Sequence, residues 1–478
     1  MNNEENKLKR MISNISYTFW ANAISTIISV ALSLLVPKLL SIADYGLWQL
    51  YSFYIAYMGI FHLGWTDGVY LKFGGYEYDK LPKKNISNQF WALNVFEIVL
   101  SVLVIGSVLI SNTSLDNKTV LIGFAVCFVI NSARLFILQL YQATNRIKEY
   151  SKYVKLDRYI FFVLVMCGLV FGVREYIYLI IVDLIGKFIS LLASIKGCKD
   201  IVFVKFNFSK ATINTAIDNI RIGSKLTFAG IMSSLIIGVL RKCIQIHWGI
   251  DAFAKISLTL NISNIMMLFI NTVGQIIFPM LRTINKDNYC KIYQLMRSSL
   301  VLILLGMILC YFPTYPILKV WLPQYADALK YMALLFPVYV FESKGAILFN
   351  SFLKTIREEK WILYTNIISL FFCLISVPIA VFVFNNLVLA VLFYVFTMWL
   401  RNFILEMVTT KLLGVPISYD IIVETLLILI FMIFAWSFNA FIGMIFYIVV
   451  YLVYLWMKRE DVNNIISIAK NSFKKAKV

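Results

Sequence analysis

The stretch SIADYGLWQL (residues 41–50) interrupts a run of apolar residues, and a blurred copy of it, GIDAFAKISL, follows 208 positions later at residues 249–258. The segments that precede the two copies are also alike, because TFWANAISTIIS (residues 18–29) aligns with TFAGIMSSLIIG (residues 227–238). One spacing shared by several segments indicates an internal duplication. The pattern therefore predicts two structural repeats that run in the same orientation.

The repeated stretch is itself predicted to be a corner between two helices. Asp44, Tyr45 and Gly46 suit a short loop in which the chain must turn. Because the stretch recurs together with its repeat, a structural corner explains it without a ligand. A direct contact between this corner and a substrate is the alternative.

The composition places the chain in a membrane. Of its 478 residues, 60% are hydrophobic and 14% are charged, whereas soluble domains carry about 25% charged residues. Apolar segments of about 20 residues, enough to cross the hydrocarbon core, recur from end to end. We predict an all-α integral membrane protein of about fourteen transmembrane helices. The segments fall near residues 12–36, 46–66, 89–111, 119–141, 157–173, 176–195, 222–243, 253–281, 290–312, 328–352, 361–384, 386–409, 418–437 and 439–457.

The net charge of +19 is spread over short loops rather than gathered in one basic patch. Most of these cations fall on one side of the predicted spans, as do Lys83, Lys84, Arg146 and Lys148. The positive-inside rule then places both termini in the cytoplasm. Membrane lipids, and not nucleic acid, are the predicted surroundings of these charges. The seven cysteines are scattered without paired spacing, which predicts neither disulfides nor a metal site.

Residues 196–221 form the longest polar interruption of the chain. Ser209 resembles a helix cap, and Ile213, Ile217 and Ile220 follow at amphipathic spacing. We predict a helix that lies on the cytoplasmic face and joins two bundles, with a plain linker as the alternative. The predicted division is an N-terminal lobe (1–195), this linker (196–221), a C-terminal lobe (222–411), and two further helices with a basic tail (412–478).

Four segments carry a resemblance to a known family. They are IADYGLWQLY (residues 42–51), FAKISLTLNISNIMMLFINTVGQIIFPML (253–281), TYPILKVWLPQYADALKYMALLFP (314–337) and NSFLKTIREEK (350–360). The chain resembles the Wzx-type polysaccharide flippases over about residues 12–457. These belong to the MOP exporter superfamily, which also holds the multidrug and toxin extrusion (MATE) antiporters and the lipid II flippases.

The resemblance implies a fold and an activity. It implies twelve core helices in two lobes around a central cavity, with two C-terminal helices added. It further implies a transporter without cofactor that moves an undecaprenyl-diphosphate-linked oligosaccharide, an O-antigen or capsule repeat unit, to the outer leaflet of a bacterial inner membrane. Other polysaccharide-assembly proteins are the partners that it implies.

Basic residues within the predicted spans are candidates for binding the phosphates. Arg134, Lys187, Lys344 and Arg401 are the four we single out, since a cation in a span costs about 2.5–3.5 kcal/mol unless it faces a cavity or a partner. A cationic cavity would attract an anionic lipid diphosphate. Arg241, at the outer end of the seventh span, is a further candidate.

Each of these cations also has a structural explanation. Lys187 follows Asp183 by four residues, so the two share a helical face and can neutralise each other. Arg134, Lys344 and Arg401 lie toward the cytoplasmic ends of their spans and can extend to the headgroups. An interfacial position is the alternative for Arg241.

Polar residues in the spans are candidates for contacts with sugar hydroxyls. Asn22 lies in the first span, and Asn261, Asn264 and Asn271 share one stripe of the eighth. Hydrogen bonds between helices, worth about 0.6 kcal/mol, are the alternative. Asp67, at the inner end of the second span, is a candidate for a gate.

The carboxylates do not single out a coupling ion. Those in or near spans are Glu97, Asp183, Glu342, Glu406 and Glu424. A MATE-like, cation-coupled antiporter of small molecules needs at least one of them in its cavity. A membrane polysaccharide polymerase is the third possibility, although the short loops favour transport. No GxxxxGK[ST] phosphate loop is present, so the sequence does not predict ATP-driven export.

Overall fold

The computed structural model describes residues 27–281, 286–416 and 420–463, and within these ranges the regular structure is helical, without a strand. The helices are α1 (Ile27–Leu39), α2 (Ile42–Ala56), α3 (Trp65–Phe73), α4 (Lys83–Ile110), α5 (Leu115–Ala143), α6 (Ile147–Val170), α7 (Tyr176–Lys196), α8 (Lys199–Val202), α9 (Lys210–Leu281), α10 (Tyr289–Met307), α11 (Tyr311–Trp321), α12 (Ala326–Leu329), α13 (Met332–Leu335), α14 (Val338–Ser343), α15 (Asn350–Thr355), α16 (Lys360–Pro378), α17 (Leu387–Leu413), α18 (Asp420–Ser437) and α19 (Ala440–Met457).

The chain is a multi-pass membrane protein. Within the described ranges, ten helices are long and apolar enough to cross a bilayer. The all-α membrane fold is therefore confirmed, and the count of fourteen spans stays a prediction. Large apolar side chains such as Leu103, Phe371 and Val449 are exposed on these helices, as is expected of surfaces that face lipid.

The chain divides into two compact units, Met1–Ser234 and Leu235–Val478, which we call the first and the second unit. In the first unit α5 is the central helix, since α2, α3, α4, α6 and α7 all pack against it. In the second unit the chain from Met332 to Thr355 is central and almost wholly buried. This segment contains a π-helical stretch, Lys344–Phe349, between α14 and α15.

Both copies of the repeated stretch lie at breaks in helices, but the prediction that Asp44, Tyr45 and Gly46 form the loop is wrong. These three residues lie in the first turns of α2, and the break comes before them, at Ser41. Ser41 caps α2, because its Oγ accepts a hydrogen bond from the Asp44 backbone N–H over 3.0 Å. Asp44 also accepts a hydrogen bond from the backbone N–H of Tyr176, at the start of α7, over 3.2 Å. In the second copy, Gly249 adopts φ 80° and ψ −169° and breaks α9. Only glycine adopts this backbone conformation readily, so the break is encoded locally.

The amphipathic segment after Ser209 is the first part of α9 rather than a separate helix. No proline stands between Lys210 and Gly249, so the helix continues into the seventh predicted span. Its glycines allow a close approach to α3: a Cβ on Gly68 would lie 1.9 Å from the backbone oxygen of Asn219, and one on Gly223 would lie 2.0 Å from that of Gly64. Gly68 and Gly223 thus serve helix packing.

Candidate functional site

Arg134 lies on α5 in the first unit, and every part of its guanidinium is engaged. Nη2 lies 2.7 Å from the carboxylate of Asp157 on α6. Nε donates to the hydroxyl of Ser190 on α7 over 2.9 Å, and Nη1 donates to Asn131 over 3.1 Å. The side chain therefore joins three helices of one unit. Since an arginine buried inside a span is costly without partners, this arrangement explains how α5 carries it.

Lys187 pairs with Asp183 on its own helix, α7. The same carboxylate accepts a hydrogen bond from the hydroxyl of Tyr51 on α2 over 2.7 Å. Both charged side chains are mostly buried. The neutralising pair that the four-residue spacing predicts is present, and Tyr51 extends it to a neighbouring helix.

Asp67, the gate candidate, directly follows the second predicted span and lies in the first turn of α3. Its Oδ1 accepts a hydrogen bond from the amide of Gln139 on α5 over 2.8 Å, and its Oδ2 accepts one from the hydroxyl of Thr227 on α9. The carboxylate therefore holds three helices at one point. Because both contacts lie inside the first unit, a gating role stays a prediction.

The second unit contains a network of buried charges around Arg297 and Lys344. Arg297 on α10 lies 2.5 Å from Glu406 on α17 and 2.9 Å from Glu424 on α18. Lys344 lies 2.9 Å from the other oxygen of Glu406 and 2.7 Å from that of Glu424. The two carboxylates thus share the two cations, and each cation binds both carboxylates.

The network continues to the first residue of α18, Asp420. Arg297 lies 3.3 Å from Asp420, and Lys458, after α19, lies 2.6 Å from the same carboxylate. A cavity of about 20 Å³, enough for one water molecule, borders Lys344, Glu406 and Glu424. The charges therefore fasten α18 and α19, the last two described helices, to the body of the second unit.

Arg401 on α17 forms a looser pair. Its Nη1 lies 3.1 Å from the carboxylate of Glu342 on α14, and the Glu342 side chain is 30% exposed. Its Nε has no hydrogen-bond partner, and neither has the side-chain oxygen of the adjacent Asn402. A cavity of about 10 Å³ borders all three residues. Arg401 is therefore a buried guanidinium with a donor to spare, beside a carboxylate that water can reach.

The three cations expected to extend toward the headgroups do not do so. Arg134, Lys344 and Arg401 are 5%, 3% and 8% exposed, and carboxylates neutralise each of them inside its unit. The alternative of extension to the membrane surface is therefore corrected. Burial among partners replaces it, because a carboxylate on a neighbouring helix compensates the charge without a path to water.

The remaining candidates are scattered. Arg241 donates through Nε to the hydroxyl of Ser257 over 3.1 Å and lies over the ring of Phe253, so it bridges the break at Gly249. Asn261 is partly buried and Asn264 is exposed. Asn22 and the side chain of Asn271 lie outside the described residues.

Four charged members of these networks were missed in the sequence, namely Arg297, Asp157, Asp420 and Lys458. Arg297 lies within the ninth predicted span, seven residues after its start, and its position alone would have made it a candidate. Asp157 is the first residue of the fifth predicted span. Arg297 and Asp157 lie near the starts of apolar segments. Charged residues are common at such boundaries, so these two were not singled out.

A further pair lies outside the spans, at α8. Lys83 lies 2.5 Å from the carboxylate of Asp200, which also accepts a hydrogen bond from the hydroxyl of Tyr78 over 2.8 Å. Burial opposes ionisation of Asp200, but these two hydrogen bonds outweigh it and lower the pKa of its carboxyl group below the ordinary value.

Comparisons with known proteins identify the fold. No family model matches the chain, and no curated protein matches it significantly. Among solved structures, a lipid II flippase, MurJ, in an inward closed conformation is 14% identical, with a TM-score of 0.64 over 92% of this chain and 98% of that one. An inward-facing multidrug resistance MATE transporter of the MOP superfamily is 14% identical, with a TM-score of 0.56 over 81% of this chain and 98% of that one.

A second MATE structure, in a straight conformation, is 14% identical, with a TM-score of 0.53 over 84% of this chain and 95% of that one. These likenesses show that the chain has the helical fold shared by MATE transporters and a lipid II flippase. The MATE-like architecture expected from the sequence is thereby confirmed.

Proposed function

We propose that the protein is a flippase that moves an undecaprenyl-diphosphate-linked oligosaccharide from the cytoplasmic to the outer leaflet of a bacterial inner membrane, by alternating access and with both termini in the cytoplasm. The observation that carries the proposal is the likeness to the lipid II flippase, which extends over 92% of the chain against 81% for the inward-facing MATE transporter. A fold shared with a lipid flippase along nearly the whole chain favours a lipid-linked substrate.

Arg401 is the residue that we propose to contact the substrate phosphates. Guanidinium groups bind phosphate through paired, charge-assisted hydrogen bonds, and Arg401 keeps an unused donor beside its loose pair with Glu342. Each guanidinium nitrogen of Arg134 has a partner, and Lys187 and Lys344 are held by close carboxylates. We assign these three cations to holding their units together.

A cation-coupled antiporter of small molecules is the second candidate. Two MATE transporters share the fold, and carboxylates are as abundant as cations in the buried network of the second unit. Such an antiporter would need a carboxylate to bind the coupling ion and would not need Arg401 to hold a phosphate.

The test uses purified protein in liposomes that contain a short lipid-linked oligosaccharide, with a membrane-impermeant glycan probe reporting its leaflet. We expect protein-dependent flipping that Arg401→Gln slows about tenfold or more, because a charge-assisted hydrogen bond is worth about 1.5–3 kcal/mol. Arg459→Gln, an exposed arginine of the same unit, is the control and should flip as the wild type does.

Glu342→Gln separates a phosphate contact from a structural pair. If Arg401 binds phosphate, removing its competing carboxylate leaves flipping intact or speeds it. Equal losses in Glu342→Gln and Arg401→Gln would show that only the pair matters and would remove Arg401 from the site. Absence of flipping by the wild type would favour the small-molecule antiporter, and longer lipid-linked glycans in the products would favour the polymerase.

A further inference from the structure

Glu97 is a carboxyl group in the middle of a membrane span. It is the fifteenth of the 28 residues of α4 and is 1% exposed. Neither of its oxygens has a hydrogen-bond or ion-pair partner. Among the buried carboxyl groups of the described residues, it alone lacks a partner on both oxygens, since Glu406, Glu424 and Asp157 all bind cations.

The surroundings of Glu97 are uncharged. Leu93 and Ser101, one turn to either side on α4, are buried, and Ser101 is occupied by a hydrogen bond to the backbone of Ala125 on α5. The hydroxyl of Ser132 on the facing helix α5 stands beside Glu97, and neither side chain makes a hydrogen bond of ordinary geometry. This pocket offers the carboxyl group no compensating charge.

The charged groups on the elements that pack against α4 either bind other partners or are exposed. On α3, Asp67 binds Gln139 and Thr227. On α5, Arg134 is directed to Asp157, Ser190 and Asn131. On α8, Asp200 binds Lys83, and on α9, Asp218 is exposed. None of these groups forms a hydrogen bond with Glu97.

An ionised carboxylate in such a pocket is costly, because burial removes its water and nothing replaces it. A neutral carboxylic acid fits, since its O–H can donate to a hydroxyl such as that of Ser132. As a packing residue the acid is still poor, because its other oxygen has no donor, and a buried polar atom without a hydrogen bond costs about 1–3 kcal/mol that an apolar side chain of similar size avoids. The chain therefore carries a proton acceptor where packing alone favours a hydrocarbon.

We infer that Glu97 is a proton-binding site, which holds one proton in the state described here and exchanges it with water during transport. On release, the carboxyl O–H bond breaks, the proton passes to a water molecule and the electron pair stays on the carboxylate; uptake reverses this. The inference rests on the proposed transport function and adds its energy source, a proton gradient.

The first experiment tests the proton without any substrate. Infrared spectra of purified wild-type protein are compared with those of Glu97→Gln, which has the same shape but cannot ionise. We expect the carbonyl stretch of a buried, protonated carboxylic acid in the wild type, its loss in Glu97→Gln, and its retention in Glu175→Gln, a matched change at an exposed glutamate of the first unit. If the wild type lacks that band, the proton-binding site is refuted.

The second experiment tests coupling. In liposomes with a pH gradient, flipping by the wild type and by Glu175→Gln should be about tenfold faster than without the gradient, and Glu97→Gln should lose this response. If the pH gradient accelerates flipping by Glu97→Gln as much as flipping by the wild type, the proton on Glu97 is not exchanged during transport and the inference is overturned. If Glu97→Gln does not fold, Glu97→Met, which has no polar group to satisfy, replaces it in both experiments.

The two proposals fail in distinguishable ways. Wild-type protein that shows the acid band but moves no lipid-linked oligosaccharide would contradict the substrate and support the proton site. The coupling experiment would then be repeated with a cationic dye as the transported molecule. Wild-type flipping that is indifferent to the gradient would keep the flippase and refute the coupling.

Discussion

The two units compensate their buried charges in different ways. In the first unit, two buried cations each pair with one carboxylate: Arg134 pairs with Asp157, and Lys187 pairs with Asp183. In the second unit, Glu406 and Glu424 are shared by Arg297 and Lys344, and the chain of contacts runs on to Asp420 and Lys458.

The difference follows from the number of helices that each set of charges must hold. The pairs of the first unit tie α5 to α6 and α7 to α2, and each tie can be lost separately. The network of the second unit joins α10, the π-helical stretch, α17 and α18, so each of its members restrains several helices. A shared network therefore concentrates the stability of the second unit in few side chains, whereas the first unit distributes it.

The largest effect should come from Glu406→Gln. The change leaves Arg297 and Lys344 to share the remaining carboxylates inside the membrane, and uncompensated buried charges cost about 3–5 kcal/mol. Thermal denaturation in detergent, followed by size-exclusion chromatography, should show a melting temperature well below that of the wild type. Glu359→Gln, an exposed glutamate of the same unit, is the control; equal melting temperatures of the two variants would show that the network stabilises nothing.

A smaller loss is expected from Asp157→Asn in the first unit. Arg134 keeps its hydrogen bonds to Ser190 and Asn131, so the loss of the charged partner should cost about 1.5–3 kcal/mol. Adding Arg134→Met should recover part of that loss, because the second change removes the stranded charge. If the destabilisation of the double variant equals the sum of the destabilisations of the two single variants, Asp157 and Arg134 do not interact. Asp218→Asn, at an exposed position, is the control.

Lys187→Met should cost less again, about 1 kcal/mol, the size of hydrogen bonds measured inside membranes. Asp183 keeps the hydroxyl of Tyr51 as a donor, and the lost partner is on the same helix. Melting temperatures of Lys187→Met and of Lys196→Met, an exposed lysine of α7, should be close to each other. A loss as large as that of Glu406→Gln would refute the contrast between separate pairs and a shared network.

The smallest effect should belong to Asp200, outside the membrane spans. Because its pKa is lowered in the folded protein, Asp200 contributes stability above its unfolded pKa of about 3.9, and that contribution is lost as the pH falls through the folded value. The melting temperature of the wild type should therefore fall slightly more than that of Asp200→Asn between about pH 6 and pH 3. Parallel curves for the two proteins would show that the pair with Lys83 contributes nothing.

Much of the fold could be predicted from local features of the sequence. Apolar segments of spanning length predict helices in a membrane, and the two copies of the repeated stretch predict the breaks at Ser41 and Gly249. A loop residue such as Ser209, however, predicts a helix start but not that α9 continues unbroken through the next span. Continuity depends on the absence of a breaker over some 40 residues and on close packing at Gly223.

The candidate site was predictable only as a list of residue types. The sequence shows that Arg134, Lys187, Lys344 and Arg401 lie within spans, and a spacing of four residues is enough to pair Lys187 with Asp183. Arg134 and Lys344 are 210 residues apart, close to the spacing of the repeated stretch. The sequence does not show that Arg134 pairs with one carboxylate whereas Lys344 shares two with Arg297. Nor does it distinguish Glu97 from the other intramembrane carboxylates.

The sequence by itself determined that the protein lies in a membrane, that its apolar segments are helical and that helices break at the two copies of the repeated stretch. It could do so because the length of apolar segments, the charge in loops and the conformation of glycine are local properties. Tertiary structure alone decided which charges compensate each other, since carboxylates on other helices reach Arg134, Lys344 and Arg401 over separations of 23 to 80 residues. A hydrogen-bonded ion pair requires its two atoms to lie within about 3 Å of each other, so the packing of the helices decides which charges meet. The same packing leaves the Nε of Arg401 and both oxygens of Glu97 without a hydrogen-bond partner.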